Sequence, residues 1–232
     1  MPPNTITGGT GYGKFAELPP EVDKMFPDYS IYPDCDYALG YITRGFPNNC
    51  RWCCVPQKEE NIRAYSSWQE IIRPESDKIV LMDNNILACD YGIKQLAELS
   101  FTDYKIDLNQ GMDARLVTEE IADIIAHIKR QKYIRFSCDK ISQVSAIFYV
   151  AEMLKKRGIK PWRLSVYLLV TSDLENAEKR VHALKKLKGI MLYAQAERNA
   201  AKGIAPNASQ LEYCQKYVFK GLYKKESWRE YC

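Results

Sequence analysis

Histidine, long apolar runs and concentrated charge are all scarce in this chain of 232 residues. Its two histidines, His127 and His182, fall in different helical patterns and leave no His pair for a zinc site. No apolar run approaches the roughly 20 residues that cross a bilayer, so no membrane partner is expected. The opening MPPNTITGGTGYGK lacks the positive-then-apolar layout of a secretory leader, which predicts a cytoplasmic location. The net charge of +4 is spread along the chain without a polybasic block; it tolerates nucleic acid without demanding it.

What is present is an apolar content of 46%, enough for one substantial core and one domain at this length. The eight cysteines are expected to stay reduced in the cytosol, which turns attention from disulfides to metal or cluster chemistry. Cys35, Cys89, Cys138, Cys214 and Cys232 are scattered, whereas Cys50, Cys53 and Cys54 crowd into one short loop.

Residues 1–34 are rich in Gly and Pro and show neither strand alternation nor helical period, so they read as an extended N-terminal arm. Gly8, Gly9, Gly11 and Gly13 lack the preceding strand and following helix of a phosphate-binding fingerprint. From there residues 35–232 alternate short β-rich runs with amphipathic helical stretches and end in a helical tail. Strands are predicted over 37–43, 78–83, 104–110, 133–139, 163–170 and 189–195, with helices over 66–73, 86–100, 118–131, 143–157 and 173–188. Thr118 followed by Glu119 and Glu120 is a helix-start signal, and Ile121, Ile124, Ile125 and Ile128 recur at helical spacing. Repeated β-α units predict a mostly parallel sheet, either an incomplete barrel or a doubly wound sheet. Both place chemistry at the carboxyl ends of the strands.

Polar residues do collect at those ends. Asp83, Asn84 and Asn85 follow the second strand; Asn109, Gln110, Asp113 and Arg115 the third; Ser137, Cys138 and Asp139 the fourth. Turns favour such residues for backbone reasons, but repeated clusters on one rim point to a shared pocket. Asp113 and Arg115 could pair with each other or reach into it.

The stretch YITRGFPNNCRWCCVP resembles the radical S-adenosylmethionine (radical SAM) superfamily, whose loop after the first strand reads C-x3-C-x-aromatic-C. Cys50, Trp52 and Cys53 match the second cysteine, the aromatic and the third cysteine, and Phe46 stands where the first belongs. RGFPNNC, CVPQKE, MDNNILA and LNQGMDARL extend the likeness to a subgroup over most of the chain. The resemblance implies a partial (β/α)6 TIM-like barrel and radical chemistry on an unknown small-molecule or macromolecular substrate. It also implies a 4Fe-4S cluster, S-adenosyl-L-methionine and an electron donor. In such enzymes three thiolates bind three irons, and the fourth iron is left to S-adenosylmethionine.

By the same resemblance Cys50 and Cys53 are the metal ligands. Trp52 packs by the adenine, Asp83, Asn84 and Asn85 lie by the amino group, and Asn109, Gln110, Ser137 and Asp139 reach the ribose or carboxylate. Trp52 read alone is equally a core aromatic. Phenylalanine has no lone pair for iron, so either cluster chemistry is impaired, another cysteine is recruited, or the chain is a non-catalytic binding protein. Cys54 is the nearest substitute, yet neighbours in an extended loop point apart. Cys-x2-Cys as half a zinc site is a further reading, weakened by the missing second pair. The tail from 209 to 232 interleaves tyrosines and Trp228 with lysines; it fits a helix packed on the barrel better than a single-strand nucleic-acid surface.

Overall fold

The structure, a computed structural model, describes residues 18–48, 50, 52–199 and 202–231. All six expected strands are present, each shorter than expected, and the last runs one residue past its expected end, to Ala196. β1 (Ala38–Gly40), β4 (Lys78–Leu81) and β5 (Lys105–Leu108) form one parallel sheet, and β6 (Ile134–Ser137), β7 (Leu164–Val170) and β8 (Met191–Ala196) another. Register runs Leu39–Val80, Val80–Asp107, Phe136–Val166 and Tyr167–Tyr193. Neither sheet closes on itself. They meet along β5 and β6, where Met112 bridges Phe136 in parallel and Met112 N donates to Arg135 O at 2.9 Å. The buried Asp107 accepts from Arg135 across the same seam, joining the sheets where backbone pairing is sparse. The molecule is therefore mixed α/β with parallel strands in sequence order.

A separate antiparallel pair, β2 (Thr43–Arg44) with β3 (Arg63–Ala64), was not legible in the sequence and closes the base of the cysteine loop. Two residues per strand give no periodicity to detect.

The helices α3 (Asp90–Ser100), α4 (Glu119–His127), α5 (Val144–Lys156) and α6 (Leu174–Leu184) follow β4, β5, β6 and β7 in turn. Thr118 caps α4 by accepting from Ile121 N at 3.2 Å, as the start signal predicts, and Asp173 caps α6 through Asn176 N at 3.0 Å. Ile121 and Ile125 of α4, Ile147 and Leu154 of α5 and Val181 and Leu184 of α6 are buried with Ile79, Ile106, Phe136 and Val166 of the strands. Each such side chain contributes about 1.5–3 kcal/mol by leaving water.

Two expectations are corrected. The helix over 66–73 is one 3-10 turn, Trp68–Glu70, because Pro74 disfavours helix in the residue before it and too little chain remains to propagate one. The arm is not wholly extended: Pro20 at a first helical position starts α1 (Pro20–Asp23), and a 3-10 turn spans Tyr29–Ile31. Residues 1–17 with their glycines lie outside the described residues.

The remaining helices are α2 (Val55–Glu59), α7 (Ala208–Glu212) and α8 (Trp228–Tyr231), with a π-helical segment Tyr213–Val218 after α7. The tail packs its aromatics inward. Glu178 of α6 accepts from Tyr213 and Tyr217 hydroxyls at 2.8 Å each and from Trp228 N at 3.0 Å. Tyr213, Tyr217 and Tyr223 are buried, while Phe219 is exposed. Among the described residues no helix is long and apolar enough to cross a membrane.

Candidate functional site

A cavity of about 960 Å³ opens at the carboxyl ends of the strands. The cysteine loop after β2 supplies Phe46, Asn48, Cys50, Trp52, Cys53 and Cys54 to its wall, and the turn after β4 supplies Asn84 and Asn85. Gln110, Asp113 and Arg115 follow β5; Ser137 ends β6, with Asp139 and Lys140 after it; Tyr167 lies within β7 and Arg198 follows β8. Parallel strands all end on one side, so residues far apart in sequence converge there. Gly111 makes room for this: a Cβ would sit 3.2 Å from Ser137 N and 3.3 Å from the Tyr167 ring.

Of the ten residues expected in the site, Cys50, Trp52, Cys53, Asn84, Asn85, Gln110, Ser137 and Asp139 line the cavity. Asp83 and Asn109 do not. Asn109 Nδ2 donates to the Met82 thioether sulfur at 3.3 Å. Asp83 is 6% exposed and turned beneath the floor, where its carboxyl accepts from Ile42 N at 3.1 Å, Thr43 N at 2.5 Å and Thr43 Oγ1 at 2.6 Å. It ties the end of β4 to the start of the cysteine loop.

Burial outweighs those donors and raises the Asp83 carboxyl to about 6. A raised folded pKa favours the folded state fully below the unfolded value of 3.8, and that advantage is lost as pH climbs through 6. The loss amounts to about 3 kcal/mol over the window. In urea unfolding, the stability of the parent minus that of Asp83→Asn should therefore fall between about pH 4 and pH 7. A flat or rising difference would mean that Asp83 is already ionised at low pH.

Glu59, which sequence reasoning missed, is the second anchor. This buried carboxylate pairs with Arg44 Nη2 at 2.9 Å and accepts from Gly45 N at 3.1 Å and Asn84 Nδ2 at 3.4 Å. Asn84 Nδ2 also reaches Gly45 O at 3.3 Å, so the amide after β4 is bound to the cysteine loop while lining the cavity. Gly45 has φ +94, and a Cβ there would lie 2.2 Å from Asn61 O. The one signal in the sequence was the glycine of RGFPNNC; nothing linked it to a glutamate 14 residues on.

Within the loop, Cys53 N donates to Cys50 O at 3.0 Å, a turn that brings the two residues together, and Val55 N donates to Cys53 Sγ at 3.4 Å. Burial, then the Asp139 carboxylate, pushes the Cys50 thiol up against the opposing charges of Lys140 and Arg115. Burial likewise pushes Cys53 up. Cys54 precedes α2 and also faces the cavity. Cys138 does not: it is wholly buried, and burial raises its thiol to about 12.

Three protein thiolates for a site-differentiated cluster are not assembled. Phe46 lines the same cavity as Cys50 and Cys53, and among the described residues no group of three His, Cys, Asp or Glu side chains could hold a metal ion. The donor set does not fit a three-cysteine cluster.

The other charged groups divide into held and unpaired. Burial pushes Asp113 up, but hydrogen bonds from Arg115 outweigh it and hold the carboxyl below its usual range; Arg115 Nε is 2.9 Å from Asp113 Oδ1. The pair forms, as one reading of the sequence had it, and both members still line the cavity. Burial raises the Asp139 carboxyl, which accepts from Leu169 N at 3.1 Å. Behind it Arg180, 1% exposed, donates from Nη1 to Cys138 O at 2.8 Å and from Nη2 to Leu169 O at 2.7 Å. Lys140 and Arg198 have no ion-pair partner among the described residues and leave positive charge on the cavity wall. Asn199 Nδ2 reaches Trp52 O at 3.4 Å, fixing the segment after β8 to the cysteine loop.

No family model and no curated protein matches the chain.

Proposed function

We propose that the protein is a partial (β/α)6 barrel of the radical SAM type whose strand-end cavity binds S-adenosyl-L-methionine, with cluster-dependent cleavage disabled by Phe46. The observation that carries this reading is convergence: the Cys50-x2-Cys53 loop and polar residues from β4 to β8 line one cavity. The chemistry of its wall suits such a ligand. Trp52 and Tyr167 offer aromatic surface for a purine. Asn84, Asn85, Gln110 and Ser137 offer neutral donors and acceptors for hydroxyl and amino groups. Asp139 offers a carboxylate for positive charge, and Lys140 and Arg198 offer cations for a carboxylate. A volume of about 960 Å³ leaves room for a second small molecule.

The mismatch at Phe46 favours binding over catalysis for the chain as it stands, so neither an electron donor nor a substrate enters the account of the unaltered protein. Equilibrium dialysis tests it. S-adenosylmethionine should bind with one site per chain, and Gln110→Ala combined with Ser137→Ala should weaken it roughly tenfold, the effect of losing two modest hydrogen bonds. A folded parent that takes up no ligand at millimolar concentration would overturn the reading.

A further inference from the structure

We propose that the rim at the amino ends of β6, β7 and β8, opposite the strand-end cavity, binds single-stranded nucleic acid, with lysines on its phosphates and Trp162 and Phe219 stacked on its bases. The inference does not rest on what the cavity holds.

Parallel strands put the residues before β6, β7 and β8 on one end of their sheet. Lys160, Trp162 and Arg163 directly precede β7, and Lys186 and Lys188 lead into β8. These two segments meet: a Cβ on Gly189 would sit 3.2 Å from Pro161 Cβ and 4.0 Å from Trp162 N. The tail joins them through Lys185 Nζ, which donates to Tyr223 O at 3.2 Å in the turn that carries Phe219, Lys220, Lys224 and Lys225. The corresponding rim of the first sheet neutralises its lysines, pairing Lys78 with Asp36, Lys105 with Asp77 at 2.6 Å and Lys129 with Asp103. The second rim differs. Among the described residues, Lys160, Lys186, Lys188, Lys220, Lys224 and Lys225 are exposed and have no ion-pair partner. Glu230 lies near Lys185, but its Oε2 accepts from Ser227 N at 2.7 Å and Ser227 Oγ at 2.8 Å. Uncompensated charge of one sign on one face attracts a polyanion.

Aromatic surface stands among these cations. Phe219 is 73% exposed and Trp162 54%, although the Arg163 guanidinium lies over the Trp162 ring at 4.3 Å. The tyrosines of the tail do not serve, since Tyr213, Tyr217 and Tyr223 are buried. No large aliphatic side chain within 160–163, 185–188 or 219–225 is exposed, whereas a face that enters a membrane presents aliphatics as well. A duplex hides its base faces in the stack. A single strand leaves them open to Trp162 and Phe219 while its phosphates meet the lysines.

Fluorescence anisotropy of a labelled oligouridylate of about 15 nucleotides, titrated with the full chain at several salt concentrations, tests this. Neutralising about six phosphates makes log K fall with log salt at a slope of about −4. Lys188→Ala, Lys220→Ala and Lys224→Ala together should reduce the steepness of that slope by about 2. Phe219→Ala and Trp162→Ala should each weaken binding about tenfold, the loss expected for one stacked base, and Phe219→Trp should retain the parent's affinity. Lys105→Ala, on the paired rim, should change neither affinity nor slope. Three results would overturn the inference: no binding at low salt, a triple lysine variant with the parent's slope, or equal affinity for a duplex and a single strand. Adsorption to phosphatidylserine vesicles by a chain that ignores the oligonucleotide would also overturn it and assign the surface to a membrane. S-adenosylmethionine binding should be the same in all these variants, so failure here leaves the ligand reading standing.

Discussion

Gly45→Ala is expected to destabilise the protein by about 4 kcal/mol, from backbone strain together with an unavoidable clash. At φ +94 an L side chain is strained even in open space, and the new Cβ would also meet Asn61 O at 2.2 Å. Backbone cannot rotate away as a side-chain tip does, so either β2–β3 pairing or the Glu59 contact to Gly45 N must give. Gly158 is the control: its φ is +81, but a Cβ added there would meet nothing within 4 Å, so Gly158→Ala should show strain alone, about 1–2 kcal/mol. Urea midpoints of the two variants measure the gap. Equal losses would mean that the loop yields without resistance.

Arg180→Met should cost about 3 kcal/mol although it removes a buried charge and keeps an apolar stem. Removing a buried ion can be neutral where its partner leaves too, but here the partners are fixed. Cys138 O and Leu169 O remain in place and lose a charged donor, and Asn176 Oδ1 loses the Nε contact at 3.1 Å. The same arginine opposes the burial that raises Asp139, so its loss pushes that carboxyl higher and favours its neutral form at the cavity wall. Arg180→Lys should rescue little, because a single ammonium cannot span acceptors on β7 and on the loop after β6. Thermal unfolding of both variants is the check; a methionine variant within about 0.5 kcal/mol of the parent would show the two carbonyls satisfied by other means.

These two residues mark how far the sequence could be read. Strands with a short apolar run bounded by polar turns were legible, since both features lie within a few residues of each other; 163–170 became Leu164–Val170 almost unchanged. Capping signals were legible for the same reason, and Thr118 bonds as expected. The convergence of Asn84, Gln110, Ser137 and Asp139 on one cavity followed from their positions at strand ends in a parallel sheet. Contacts between distant residues were not legible. A buried arginine satisfied by two carbonyls leaves no complementary charge to find, and Glu59 with Gly45 reads as an ordinary surface glutamate and a loop glycine. Asp83 shows a subtler limit: it stands at a strand end beside two cavity residues, yet its side chain turns to Ile42 N and to Thr43, a contact across 40 residues of chain that no local pattern announces.

Hydrogen–deuterium exchange of the unaltered chain, with and without saturating S-adenosylmethionine, tests the ligand cavity most directly. Binding there should slow exchange in the cysteine loop and in the segments after β4, β5 and β6, while leaving the tail over 208–231 unchanged. Unaltered exchange throughout, or protection confined to the tail, would contradict the assignment of that cavity.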